Sequence, residues 1–231
     1  MLAYLVIVVV SAALVAGAAL GVSGRLPDRV EGFIVALAGG ALLISAVLEL
    51  IEPATDQAPL WGVVLAVLGG AGVFSAVDYL IDERTSSDSG GGLLAAITLD
   101  GIPENLALGV ALIGTGPLGA AALSGSILLS NLPEAAGGAK AMKASGRSST
   151  RVLGLWTATA ALLSAAAVVG HLALTGVPES ALALISSFAG GAVVGSLAIE
   201  VFPKAFDKDR YLTGVAAALG LVLALVLSHL G

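Results

Sequence analysis

Cysteine is absent from the 231-residue chain, and there are only two histidines, His171 and His229. Without thiols there is no disulfide, no thiolate metal centre and no cysteine nucleophile. Any metal site must therefore be built largely from oxygen. Charge is scarce too: 11% of the residues are charged and 58% are hydrophobic, with a mean hydropathy of +1.04. A soluble domain devotes roughly 25% of its residues to charge, more than twice what is found here. A water-soluble globule of this composition would expose apolar patches beyond what a monomer tolerates, so lipid must solvate much of the chain. The net charge of -6 and the lack of a basic stripe exclude nucleic acid as a partner. No H-E-x-x-H, no G-x-S-x-G and no protease-like aspartate pair is present, which argues against an intramembrane enzyme.

What is abundant is long apolar sequence. A spanning helix takes about 20 mostly apolar residues. On that criterion the chain is an all-α polytopic membrane protein with about eight transmembrane helices, expected at 2–22, 30–51, 61–81, 92–113, 117–139, 152–174, 180–202 and 211–230. The connections are too short for a separate soluble domain, so 1–231 reads as one transmembrane domain. The opening MLAYLVIVVV carries no Lys or Arg before its apolar run, so a retained helix is expected rather than a cleaved signal.

Positive charges orient the helices. Arg25 and Arg29 lie in the first connection, Arg84 in the third, Lys140, Lys143, Arg147 and Arg151 in or beside the fifth, and Lys204, Lys208 and Arg210 in the seventh. The even connections, around EPATDQAP, GTGP and TGVPES, carry none. Cytoplasmic loops are the ones enriched in Lys and Arg. The odd connections are therefore expected in the cytoplasm and both termini outside, in a cell membrane.

An ionisable residue within the hydrocarbon core costs a few kcal/mol, so each one needs a reason. The fourth span contains TLDGIPENLALGVAL, in which Asp100 and Glu104 share a helical face, with Pro103 between them. A proline there donates no hydrogen bond and frees the Leu99 carbonyl. The fifth span repeats the arrangement as SILLSNLPEAAGG: Ser130 and Glu134 share a face, with Asn131 adjacent and Pro133 before the glutamate. Joined by the short GTGP turn, the two spans would bring these hard oxygen donors together at mid-depth. A second repeat relates AGGALLISAVLE in the second span to AGGAVVGSLAIE in the seventh, matching Ser45 with Ser196 and Glu49 with Glu200. Opposed repeats meeting at polar, interrupted helices are a pattern of alternating-access transporters. Glu49 and Glu200 lie nearer their helix ends. Glu52, Asp56 and Asp78, and both histidines, read as solvated or interfacial. Gly17 and Gly21 form a G-x-x-x-G that would serve a homodimer contact.

At these motifs the chain resembles the ZIP (Zrt/Irt-like protein) family of divalent metal transporters. Members typically carry His-Asn-x-Pro-Glu-Gly in the fourth helix and a related His-x-x-Pro-Glu or His-x-x-x-Glu in the fifth. Here those stretches read Asp100-Gly101-Ile102-Pro103-Glu104-Asn105 and Ser130-Asn131-Leu132-Pro133-Glu134-Ala135. The resemblance implies a ZIP-like bundle with inverted repeats and a two-metal site bridged by Glu104 and Glu134. Asp100, Ser130 and Glu200 would complete one half of that site and Asn131 would serve the other, where Gly101 replaces the usual Asn. Both usual histidines are replaced and the His-rich third loop is missing, which shifts the expected cargo from zinc toward harder ions such as Mn²⁺. The expected function is uptake of a divalent cation into the cytoplasm, with the metal as substrate and no cofactor. The rival readings are a proton-coupled transporter of an organic solute and a non-transporting, ZIP-like sensor.

Overall fold

The structure is a computed structural model that describes residues 2–24, 26–84, 101–102, 104–113 and 120–230, with backbone alone at 81–84 and 230. Among the described residues every regular element is helical. They are α1 (Leu2–Ser23), α2 (Asp28–Ala46), α3 (Leu60–Arg84), α4 (Glu104–Ile113), α5 (Ala121–Ala144), α6 (Ser149–Leu174), α7 (Glu179–Ser196) and α8 (Thr213–Leu230). In lipid each backbone N–H and C=O must be satisfied within the segment, and a helix does that. The stretches Leu2–Ser23, Asp28–Gln57, Leu60–Leu80, Ser149–Leu174 and Glu179–Lys208 are long and apolar enough to cross a bilayer. Two shorter apolar helices, Glu104–Ile113 and Thr213–His229, accompany them.

α5 differs from these in polarity. Ser124, Ser126, Ser130 and Asn131 are all buried along it, and Pro133 sits within the helix. A helix enclosed by other helices needs no lipid-compatible surface. α1 and α2 both pack along α5, α3 lies along α7, and α8 lies along α2. The outer helices face outward with large apolar side chains, Trp61, Leu65 and Leu68 on α3 and Leu219, Val222 and Leu223 on α8. A row of that kind suits a lipid boundary.

Two helices are interrupted in the same way. α2 runs into a π turn, Val47–Ile51, and α7 into a π turn, Leu197–Val201. In each the hydrogen bond reaches five residues back, from the Glu52 N–H to the Val47 carbonyl and from the Phe202 N–H to the Leu197 carbonyl. Each turn carries one glutamate, Glu49 or Glu200. After its turn α2 ends in a one-turn helix, Ala54–Gln57, while α7 continues as Phe202–Lys208. π turns of this kind re-aim side chains and recur at functional sites. Gly39 of α2 stands against Phe202, and Gly190 of α7 stands against Ile51. The two helices therefore run antiparallel.

Glycine decides how closely the helices meet. A methyl group on Gly40 would overlap the Ala217 carbonyl oxygen of α8, and one on Gly220 would overlap that of Leu37. The α3–α7 pair has the same geometry: Gly191 lies against the Val67 carbonyl and Gly70 against that of Phe188. In both pairs each glycine faces the residue three positions before the partner glycine. Gly17 and Gly21 make the same kind of approach to Leu132 and Ala136 of α5. That glycine face is filled within the chain and does not present a dimer surface. Replacing Gly40 or Gly191 by Leu should force backbones apart and destabilise the fold by about 1–3 kcal/mol or more. A Cβ on Gly154 of α6 meets nothing, so Gly154→Ala should leave stability level or slightly higher. Thermal unfolding of the detergent-solubilised variants checks both.

Candidate functional site

The centre of the bundle is polar along α5. Ser130 Oγ donates to Glu134 Oε1 at 3.0 Å, one helical turn on. Asn131 Nδ2 donates to the Val10 carbonyl of α1 at 3.1 Å, and Ser126 Oγ lies 3.1 Å from Ser45 Oγ of α2. These bonds pin α5 to both neighbours. Pro133 lacks an N–H, so the Leu129 carbonyl is left without its helical donor one turn above Glu134. On α4, Glu104 is buried at 2% exposure and the adjacent Asn105 is fully enclosed, its Nδ2 donating to the Gly101 carbonyl at 2.8 Å.

From Glu134 a cavity of about 240 Å³ extends between α2, α5 and the end of α7. Its polar lining consists of Glu31, Glu134, Lys204 and Lys208. Glu31 pairs with Lys208, and Glu200 pairs with Lys204 one turn along its own helix. Lys204 and Glu200 are also the charged neighbours that act on Glu134. Glu31 is almost wholly buried at 2% exposure. Its Oε1 meets Lys208, while its Oε2 is buried with no hydrogen-bond partner. A buried carboxylate with one oxygen unused retains capacity for another cation or donor. The cavity wall thus carries two carboxylates and two lysines, Lys208 paired with Glu31 and Lys204 with Glu200.

Of the six residues singled out in the sequence, Ser130 and Glu134 are bonded to each other, and Glu200 lies within electrostatic reach of Glu134. Glu104 is buried in the bundle, and Asn131 points its amide at α1. Asp100, Pro103 and the GTGP turn lie outside the described residues. Among the described residues no group of three or more His, Cys, Asp or Glu side chains is gathered as a ready metal cage.

Three charged residues went unremarked in the sequence as parts of a site: Glu31, Lys204 and Lys208. The Glu200–Lys204 spacing is a helical i, i+4 pair and was visible in principle. Glu31 and Lys208 are 177 positions apart, and only folding joins them. Asp78, expected at the interface, is instead buried at 6% exposure on α3, a helix that packs along α7. His171 is half-buried: its Nδ1 lies 3.3 Å from the Gly109 carbonyl and its ring stands edge-on to Tyr4. Glu52 and Asp56 are exposed, as expected.

A bundle of long apolar helices enclosing carboxylates, serines and an asparagine defines a polytopic α-helical membrane protein. Comparison with protein-family models and with curated proteins gives no match.

The buried pair makes a direct prediction. Lys208→Met leaves the Glu31 charge enclosed without its partner and should destabilise the chain by about 3 kcal/mol. The double variant Glu31→Gln/Lys208→Met should recover most of that loss. A double-mutant cycle on unfolding midpoints measures both, and equal losses in the single and double variants would contradict the pairing.

Proposed function

We propose that this chain carries a divalent cation across the bilayer into the cytoplasm, through a mid-membrane site on α4 and α5. The observation that carries the reading is the half-buried Ser130–Glu134 pair, which opens onto a cavity with Glu200 within electrostatic reach. Carboxylate, hydroxyl and freed carbonyl oxygens are the donors that hard divalent ions take. Glu104 and Glu134 bridge two metal positions; Asp100, Ser130 and Glu200 complete one of them, and Asn131 serves the other. The Pro-Glu pairs at Pro103-Glu104 and Pro133-Glu134 support this assignment through their likeness to the ZIP family.

The repeat also fits transport. In this reading the chain spans the membrane eight times with both termini outside, and its two halves are related by an inverted repeat. The antiparallel α2 and α7 with their matching π turns support that relation, as do the equivalent glycine contacts of α2 with α8 and of α7 with α3. Rocking of one half against the other then exposes the site to each side in turn. On the cytoplasmic side Lys204 and Lys208 return to the carboxylates as the ion leaves. A site that neutralises itself in this way releases its cargo rather than trapping it.

A second reading is favoured by Lys204 itself. A lysine paired with Glu200 and acting on Glu134 is also the equipment of a proton-coupled carrier for an organic solute.

The deciding measurement is uptake of Mn²⁺, Fe²⁺, Zn²⁺, Co²⁺ and Cd²⁺ into proteoliposomes. Uptake should favour Mn²⁺ over Zn²⁺ and disappear in Glu104→Ala/Glu134→Ala. A well-folded chain that moves no metal but passes protons would support the organic-solute reading instead. Protons compete with metal for the same carboxylates, so uptake should fall as the outer solution is acidified across about pH 8 to 5. A flat rate over that window would remove the carboxylates from the transport step.

A further inference from the structure

A second cavity, of about 120 Å³, lies at the other end of α2 and α7. The first cavity is lined by Glu31 and Val35 near the start of α2 and by Val201, Lys204 and Lys208 beyond the end of α7. The second is lined by Glu49, Leu50, Pro53 and Gln57 at the far end of α2 and by Leu182 and Ser186 near the start of α7. Glu31 and Leu50 are about 28 Å apart along α2 at a rise of ~1.5 Å per residue, so the cavities sit at opposite faces of the bundle.

Their walls correspond. The sequence offset that relates Gly40 to Gly191 also relates Leu50 to Val201 and Val35 to Ser186, and in each pair one residue lines each cavity. The offset that relates Glu104 to Glu134 relates Ala111 of the second cavity to Ala141 of the first. What differs is charge. Glu31, Lys204 and Lys208 of the first cavity are replaced by Leu182, Pro53 and Gln57 in the second. Among the described residues the second cavity is therefore lined by one carboxylate, Glu49, and by no basic residue.

Glu49 is held for a purpose other than ion pairing. Its Oε1 accepts the Leu123 N–H in the first turn of α5 at 2.9 Å, where helix donors lack internal partners. Its Oε2 is buried and makes no hydrogen bond. The first turn of α5 thus engages one carboxylate oxygen and leaves the other available to a cation. Gln57 and Ser186 add an amide and a hydroxyl oxygen to the same wall. The cavity is well beyond the ~30 Å³ that a water occupies in the liquid, so a partly hydrated ion fits. Glu52, Asp56 and Glu179 are exposed around this end of the bundle, and a cleft of one sign concentrates counter-ions.

We infer that the Glu49 cavity is a cation-docking vestibule on the outer face, the repeat-related counterpart of the inner cavity, with Glu49 as its ligand. This rests on the transport reading above and adds the place where the ion is first held. A vestibule with an uncompensated carboxylate captures the divalent cation, and a lysine-balanced cavity at the other end lets it go.

The absence of cysteine makes a direct test available with the whole chain in proteoliposomes. Gln57→Cys or Ser186→Cys places a single thiol in the second cavity, and Ala141→Cys places one in the first. A membrane-impermeant thiol reagent should label the first two from one face and Ala141→Cys from the opposite face. Mn²⁺ on the first face should slow labelling at Gln57→Cys and Ser186→Cys about tenfold, a change worth one decade of occupancy. Adding Glu49→Gln should abolish that slowing while labelling without metal proceeds as before. Labelling of all three thiols from one face, no protection by Mn²⁺, or protection that survives Glu49→Gln each overturns the inference. Protection is read without transport. If Mn²⁺ protects but is not taken up, the vestibule stands and the transport reading falls; if uptake is intact without protection, the reverse holds.

Discussion

Close approach of helix backbones is the constraint on which this bundle rests. In lipid there is no hydrophobic force to drive helices together, so association depends on packing and interhelical hydrogen bonds. Gly40 with Gly220 and Gly191 with Gly70 bring α2 against α8 and α7 against α3 at backbone contact. Gly17 and Gly21 do the same for α1 against α5. With α1 held on α5 by these glycines and α2 packed along its other side, lipid is shut away from Ser130 and Asn131. Without that enclosure the polar face of α5 would have no tolerable surroundings.

Polar atoms then complete what packing begins. The Asn131 amide holds α1, the Ser126–Ser45 pair joins α5 to α2, and Glu49 caps the first turn of α5. α5 is thus tied at its start to the π turn of α2 and at its middle to α1. The helix that bears Glu134 is held by side-chain bonds to both α1 and α2. A group whose geometry must persist in a low-dielectric interior benefits from that restraint.

Charge is distributed unevenly between the two ends of α2 and α7. Among the described residues one cavity is lined by Glu31, Glu134, Lys204 and Lys208, and the other has Glu49 as its charged side chain. Unequal charge at the two cavities gives the bundle two ends of different electrostatic character. The divergence falls at the cavity-lining positions, whereas the glycines that set helix contact are kept in both halves.

The sequence by itself determined the all-helical membrane class, because 58% hydrophobic composition in long runs leaves no other solvent for the chain. It also determined the pairing of Ser130 with Glu134, since an i, i+4 spacing on one helix fixes that contact without reference to the rest of the chain. The correspondence of Glu49 with Glu200 was legible as a repeated string, but the π turns that carry both were not, because propensity does not register a single extra residue in a helical turn. Only the tertiary structure decided that Gly17 and Gly21 are taken up by α5, that Asp78 is buried, and that Asn131 turns to α1. Only it joined Glu31 to Lys208, and only it opened a cavity at each end of α2 and α7. The physical reason is the same in each case. These features depend on which faces of distant helices meet, and a helical period specifies a face without naming the neighbour that will cover it.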